Sequence, residues 1–221
     1  MIDAFPAAVI FDMDGLILDT ESLALRAWEG TAQGFGREFD RDLCRQMIGR
    51  SAGDCIALIR QRHGHDYPAD ALMSAWHAGY DALVAAEGIA VKPGLDELLQ
   101  LLDERLVPRA VATMTRREHA SAKLERAGLL HRFAAVVGGD DVARGKPAPD
   151  ILLAAAATIG IAPAGCVVLE DSEPGVAAAW AAGMTPLMIP DIYPPSPSLA
   201  ARGLAMLGSL SEVATHLREL A

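Results

Sequence analysis

The chain has no uncharged apolar run of the ~18 residues that a membrane-spanning helix needs. Its N-terminal region carries Asp3, Asp12 and Asp14 through an apolar stretch and lacks a basic flank. That region reads as neither a signal peptide nor a membrane anchor. Cysteine is scarce: Cys44, Cys55 and Cys166 are odd in number, widely spaced and form no C-x-x-C pair. A disulfide framework is therefore not the organising principle, and a reducing cytoplasm is the expected location. Positive charge is in deficit. With 19 Lys and Arg against 29 Asp and Glu, the formal net charge is −10, which argues against nucleic acid and anionic membranes as partners. A small anionic substrate stays open, because a bound cation and a few local positive groups reverse the field inside a pocket. There is no internal repeat, and no G-x-S-x-G, Gly-Lys-Ser/Thr loop or G-x-G-x-x-G follows a run of strand character.

What is present is enough apolar matter for a substantial core. Hydrophobic residues make up 52% of 221 positions, which fits one large domain or a core with a modest insert. Short apolar runs at 8–12, 109–113, 134–137, 166–170 and 186–189 have the character of buried strands. Helical patterns lie between or beside them at 95–104, 116–127, 149–159, 175–182 and about 210–220. Strand alternating with helix predicts an α/β fold, a Rossmann-like parallel sheet with helices on both faces. The segment 18–87 breaks the alternation, with helical patterns at 20–34, 41–48, 51–62 and 69–86. It predicts an inserted helical cap subdomain, leaving 1–17 and 88–221 as the α/β core. The Pro-rich piece 192–198 predicts a surface loop.

The most informative stretch is residues 9–21. Val9-Ile10-Phe11 ends abruptly in Asp12-Met13-Asp14-Gly15. Two carboxylates two residues apart at the mouth of a buried strand are costly unless a cation sits beside them. The pair offers a carboxylate nucleophile next to a proton-transfer partner. In an open parallel sheet, ligands gather at the carboxyl ends of the strands. The second run ends at Thr113, followed by Met114-Thr115-Arg116-Arg117; Gly138-Gly139-Asp140-Asp141 and Lys146 follow the third; the fourth ends at Glu170-Asp171-Ser172. One edge thus collects acids, a hydroxyl and a lysine, which is the composition of phosphoryl transfer.

Each member also has a plainer reading. Thr115-Arg116-Arg117-Glu118 is a capping box, so Thr115 serves the helix; in the functional reading, that helix N-terminus points donors at an anion. Lys146 reads alternatively as a solvated loop residue. His63 and His65 form a solvated loop rather than a metal pair, since no second cluster completes a site. Trp28, Trp76 and Trp180 sit at helical spacing and read as packing. The plain readings fail only jointly, because the carboxylates, hydroxyl and lysine recur in order at successive strand ends.

With these residues in place, the chain resembles the haloacid dehalogenase superfamily, most closely the subgroup with a helical cap after the first strand. The motifs that carry the resemblance are FDMDGLILDTE, VATMT, Lys146 in GKPAPD, and VVLEDSEPG. The resemblance implies that Asp12 attacks phosphorus and forms an aspartyl-phosphate. Asp14 protonates the leaving group and then activates water. Mg²⁺ is held by Asp12, the Asp14 backbone carbonyl and Asp171, with Glu170 helping directly or through water. Thr113, the Met114 backbone N–H and Lys146 grip the phosphoryl oxygens. Thr115 and Arg116, and Arg50 and Ser51 in the cap, are further candidates for substrate contacts.

Departures from the family pattern bear on substrate. Ala24 stands where β-phosphoglucomutase-like proteins carry a cap histidine, and Ala52 where they carry an arginine. Met114 narrows the pocket if its side chain turns inward. The expected activity is Mg²⁺-dependent hydrolysis of a small phosphorylated metabolite by a monomer or weak homo-oligomer. A phosphomutase of the β-phosphoglucomutase type is the alternative. A phospho-accepting receiver module shares the aspartate, hydroxyl and lysine but predicts no helical insert and no acid two residues past the acceptor.

Overall fold

The computed structural model describes residues 2, 4–47, 50 and 52–220. The chain divides into a sheet unit, Met1–Asp19 with Ala90–Ala221, and a helical unit, Thr20–Ile89.

In the sheet unit, the strands among the described residues are β1 (Ala8–Phe11), β2 (Arg109–Ala112), β3 (Ala135–Val137), β4 (Cys166–Glu170), β5 (Thr185–Met188) and β6 (Ala205–Met206). They form one parallel sheet in the order β3-β2-β1-β4-β5-β6. Burial on both faces explains the unbroken apolar runs, and β1, β2 and β4 are buried at every position. Alternate residues then serve opposite faces. Ala8, Ile10, Ala110, Ala112, Cys166 and Val168 join a cluster with Ile151, Leu152, Ala155, Ala178 and Ala179. These last come from α7 (Asp150–Thr158) and α8 (Glu173–Ala181). Small alanines there let the helices sit close to the strands. Phe11 points the other way and meets Phe133 edge-on at 5.6 Å between ring centroids.

The remaining helices of this unit are α5 (Leu95–Glu104), α6 (Arg117–Arg126), α9 (Pro197–Ala200) and α10 (Leu210–Glu219). Three details differ from the sequence expectation. β5 runs from 185 to 188, one residue earlier than the apolar run suggests, because Thr185 pairs with Val167 despite being exposed. The 192–198 loop stops at Ser196, whose hydroxyl accepts from the Leu199 N–H and starts α9 with Pro197 in its first turn. α8 likewise begins at Glu173, before the expected 175. Ser172 caps it, and Pro174 is tolerated because the first-turn N–H groups have no helical partner.

The helical unit holds α1 (Thr20–Gly34), α2 (Arg41–Met47), α3 (Ala52–His63) and α4 (Ala69–Glu87). Leu43, Cys44, Met47, Cys55, Ile59, Leu72 and Met73 form its own core. Trp28 stacks on Trp76 at 5.3 Å, and the Trp76 indole donates to the Ala24 carbonyl at 3.1 Å. Ile48 and Ser51, at the expected ends of two of these helices, lie outside the described residues, as does the Ser51 substrate contact.

Where the chain leaves and re-enters the sheet unit, its two strands run side by side. Leu18 bridges Val91 antiparallel, the Asp19 N–H donates to the Ala90 carbonyl, and the Lys92 N–H donates to that of Ile17, both at 2.9 Å.

Candidate active site

The adjacent strands β2, β1 and β4 end at one place. Backbone hydrogen bonds continue one residue past β1 and β2: Asp12 N–H donates to Leu169 at 3.0 Å, and Thr113 N–H to Val137 at 3.0 Å. Asp12 and Thr113 are therefore fixed by the sheet itself. After Asp14 the chain reverses at once, and Gly15 takes φ +84°, the left-handed region that a side chain disfavours. The reversal is closed by the Gly15 N–H on the Leu18 carbonyl at 2.9 Å.

Lys146 is buried rather than solvated. Its side chain is 2% exposed, and its ammonium donates to Asp12 Oδ1, to Glu170 Oε1 and to the Ala112 carbonyl at 3.0 Å. All three ammonium hydrogens are thus placed. Glu170 is fully buried, and its second oxygen accepts the Ser172 N–H at 3.3 Å and the Ser172 hydroxyl at 2.8 Å. Both Glu170 oxygens are engaged by protein donors, so its geometry is that of a holder of Lys146. The first turn of α8 passes so near this carboxyl that a Cβ at Gly175 would stand 1.9 Å from it. Gly175→Ala is expected to cost about 1–3 kcal/mol through overpacking and to lower activity by displacing Glu170, measured by thermal melts and steady-state rates.

Asp14 lies beside this buried pair with its own set of donors. Thr113 Oγ1 donates to Oδ2 at 3.2 Å, Thr115 Oγ1 to the same oxygen at 2.7 Å, and Lys123 Nζ to Oδ1 at 2.8 Å. The capping-box reading of Thr115 is thereby corrected. Arg116 is the N-cap of α6 and makes no side-chain cap bond, while Asp140 accepts the Arg117 N–H at 2.8 Å in its stead. Thr115 is freed for Asp14.

Electrostatics separate the two aspartates. Burial pushes Asp12 up to about 7, helped by Glu170 and Asp14 and opposed by Lys146. Burial acts on Asp14 in the same direction, but Lys123, Thr115 and Thr113 outweigh it and hold Asp14 below the ordinary carboxylate value. Lys146 is driven above its usual value by Asp12 and Glu170, against the opposing effect of burial.

Asp171 follows β4 directly. With Asp12 and the Asp14 backbone carbonyl, it gives a set of hard oxygen donors suited to Mg²⁺. These donors fit the ion by their chemistry, two carboxylates and a carbonyl, all hard oxygen. Among the described residues, no three His, Cys, Asp or Glu side chains are already gathered as a metal cluster, and the set inferred here needs only two side chains and one carbonyl. His63 instead closes α3 and stacks on Tyr67 at 4.6 Å.

The other expected contacts have partners of their own. The Met114 thioether lies against Gly145 and packs on the cluster that includes Ala112 and Val137, so it fills core rather than narrowing a pocket. Arg116 is exposed, 3.6 Å from Asp140. Arg50, in the helical unit, donates from Nε to the Gln46 carbonyl at 2.7 Å. Lys123 escaped the sequence reading. Its signal was its place three residues after Ala120, on the side of α6 that buries Ala120 and Leu124. The three cysteines are free and buried, and no described helix is long and apolar enough to cross a membrane.

Known proteins share both sequence and fold. The phosphorylated carbohydrates phosphatase of Thermotoga maritima is 32% identical over 177 residues, covering 80% of this chain and 82% of that protein. β-Phosphoglucomutase of Bacillus subtilis is 33% identical over 183 residues, 80% of each chain. The crystal structure of CbbY from Rhodobacter sphaeroides in complex with phosphate superposes with a TM-score of 0.76 at 30% identity, covering 94% of this chain and 96% of that one. Residues 6–183 match the haloacid dehalogenase-like hydrolases, and with the aspartate, threonine, lysine and glutamate of four motifs meeting at the ends of β1, β2 and β4, the chain belongs to that family of enzymes.

Proposed function

We propose that the protein is a Mg²⁺-dependent phosphatase of small phosphorylated metabolites, sugar phosphates or related phosphomonoesters, that works through an aspartyl-phosphate on Asp12. The observation that carries this reading is the pairing of Asp12 with the buried Lys146 beside an Asp14 held by separate donors. Two carboxylates held by separate donors at one strand end give a nucleophile and, beside it, a second carboxyl group to carry protons.

Asp12 Oδ attacks phosphorus while the ester oxygen leaves. Asp14, having taken up a proton against the pull of Lys123 and the two threonines, gives it to that oxygen and then takes one from the water that releases phosphate from Asp12. Thr113 turns its hydroxyl from Asp14 to a phosphoryl oxygen, and the Lys146 charge, through its bond to Asp12, offsets repulsion as the anionic nucleophile approaches. Glu170 keeps Lys146 in place. Asp12, the Asp14 carbonyl and Asp171 would hold Mg²⁺, which supplies charge neutralisation between nucleophile and phosphoryl group when bound. Asp171→Ala is accordingly expected to raise the Mg²⁺ concentration for half-maximal activity by at least about tenfold; an unshifted metal titration removes Asp171 from the set. The helical unit serves as the cap that selects substrate, and a cytoplasmic site of action suits three free thiols.

The likeness to a β-phosphoglucomutase favours one second reading, transfer of phosphate within a sugar. Ala24 and Ala52, where such mutases carry histidine and arginine, weigh against it. The test is a panel of phosphomonoesters with and without Mg²⁺, read by mass spectrometry. Inorganic phosphate as product supports the phosphatase, and an isomerised phosphosugar supports the mutase. No Mg²⁺-stimulated turnover of any ester overturns both.

A further inference from the structure

We infer that Lys123 is a positioning residue for proton transfer: from the second turn of α6 it fixes the carboxylate of Asp14 toward the leaving oxygen. The inference rests on the phosphatase reading and extends it to a residue outside the four motifs.

The geometry separates Lys123 from the other two donors. Thr113 and Thr115 both take Oδ2 of Asp14, whereas Lys123 alone among the three takes Oδ1, at 2.8 Å. A carboxylate tied at one oxygen still turns about its terminal bond, a broad and soft torsion. Tied at both, it does not. Thr113 is also required for the phosphoryl group, so with substrate bound the orientation of Asp14 falls to Thr115 and Lys123.

The base of Lys123 is well anchored. Ala120 and Leu124 are buried on either side of it, and the start of α6 is tied to Asp140 through the Arg117 N–H. The acids near that helix start have other cations, since Arg116 lies 3.6 Å from Asp140 and Arg117 lies 3.5 Å from Asp141. Lys123 and Asp14 are each 22% exposed at the side chain, so the pair is neither a solvated surface bridge nor sealed from a substrate.

In the first half-reaction, which starts once Asp14 has taken up a proton from solvent against the pull of Lys123, the bond from Asp12 Oδ to phosphorus forms, the phosphorus–ester oxygen bond breaks, and the departing oxygen receives that proton. In the second, the water oxygen bonds to phosphorus, the Asp12–phosphorus bond breaks, and Asp14 regains a proton from that water. Only the first step depends on the basicity of the leaving oxygen. A good leaving group departs unprotonated, whereas an alkoxide needs the acid in place.

The experiment compares kcat/KM for 4-nitrophenyl phosphate and benzyl phosphate, which share a ring but differ in leaving-group basicity. It uses the full chain with Mg²⁺, as wild type, Lys123→Met and Lys123→Arg. Lys123→Met is expected to lose on the order of 10²-fold on benzyl phosphate, the scale of a small misplacement of a catalytic group, and markedly less on 4-nitrophenyl phosphate. Lys123→Arg, which keeps a cationic donor, is expected to narrow that gap. Equal losses on both esters, or none on either, overturn the role of Lys123 while leaving the phosphatase standing. Should Lys123→Met not fold, an Arg variant with equal losses on both esters is equally decisive. A wild type inactive on every phosphomonoester of the panel overturns the phosphatase itself.

Discussion

Asp12→Asn is expected to remove turnover, by about 10⁴–10⁶-fold, the range seen when a covalent nucleophile is deleted, with little change in melting temperature. The amide has the shape of the carboxylate and still accepts from Lys146, whose charge remains balanced by Glu170. The backbone of residue 12 is held by Leu169 through the sheet and does not depend on the side chain. What is lost is the attacking oxygen anion and one metal ligand. The measurement is phosphate release beside a thermal melt, with acid-quenched protein examined for a phosphoryl group on the peptide that contains residue 12. Retained activity, or phosphate found on another peptide, removes Asp12 from the mechanism.

Lys146→Met is expected to affect both activity and fold. Two buried carboxylates, Asp12 and Glu170, share this one ammonium. Removing one partner of a buried ion pair costs about 3–5 kcal/mol, because a charge is left without compensation. Urea melts without Mg²⁺ measure the loss directly. The loss should also depend on pH. In wild type, burial already pushes Asp12 up to about 7, and without the lysine it rises further. A carboxyl raised in the folded state is protonated there while its unfolded counterpart has ionised. The folded state then binds more protons, and stability falls as pH rises from the ordinary carboxylate range to the folded value. Below about pH 7 Asp12 is protonated in both folded proteins, so the deficit of Lys146→Met should be flat there, and it should grow as pH rises above about 7 towards the higher value of the variant. A deficit independent of pH contradicts the buried-pair account.

The strand ends were legible because Asp12, Thr113 and Glu170 each close an apolar run abruptly, and burial on both faces forbids such residues without a purpose. The helix α1 was legible from its period and from Gly34 at its end. Other features depend on tertiary pairing. β6 is two residues long, and Ala205-Met206 become a strand only because β5 offers them an edge. Thr115-Arg116-Arg117-Glu118 satisfies a local capping rule, yet Asp140, 23 residues away, supplies the hydrogen bond to the Arg117 N–H. Lys123 lies on a helix of low overall hydrophobicity, and only the position of Asp14, 109 residues distant, gives it meaning.

The meeting of residues 19 and 90 through a single hydrogen bond has an evolutionary consequence. Excising everything between them would leave two ends already in register, and a short turn closes such a gap at little entropic cost. The sheet unit is thus a socket with adjacent terminals, and helical modules with matching ends can be spliced into it. Lineages can diversify the module while the buried lysine and its two acids, encoded elsewhere in the chain, pass through unaltered.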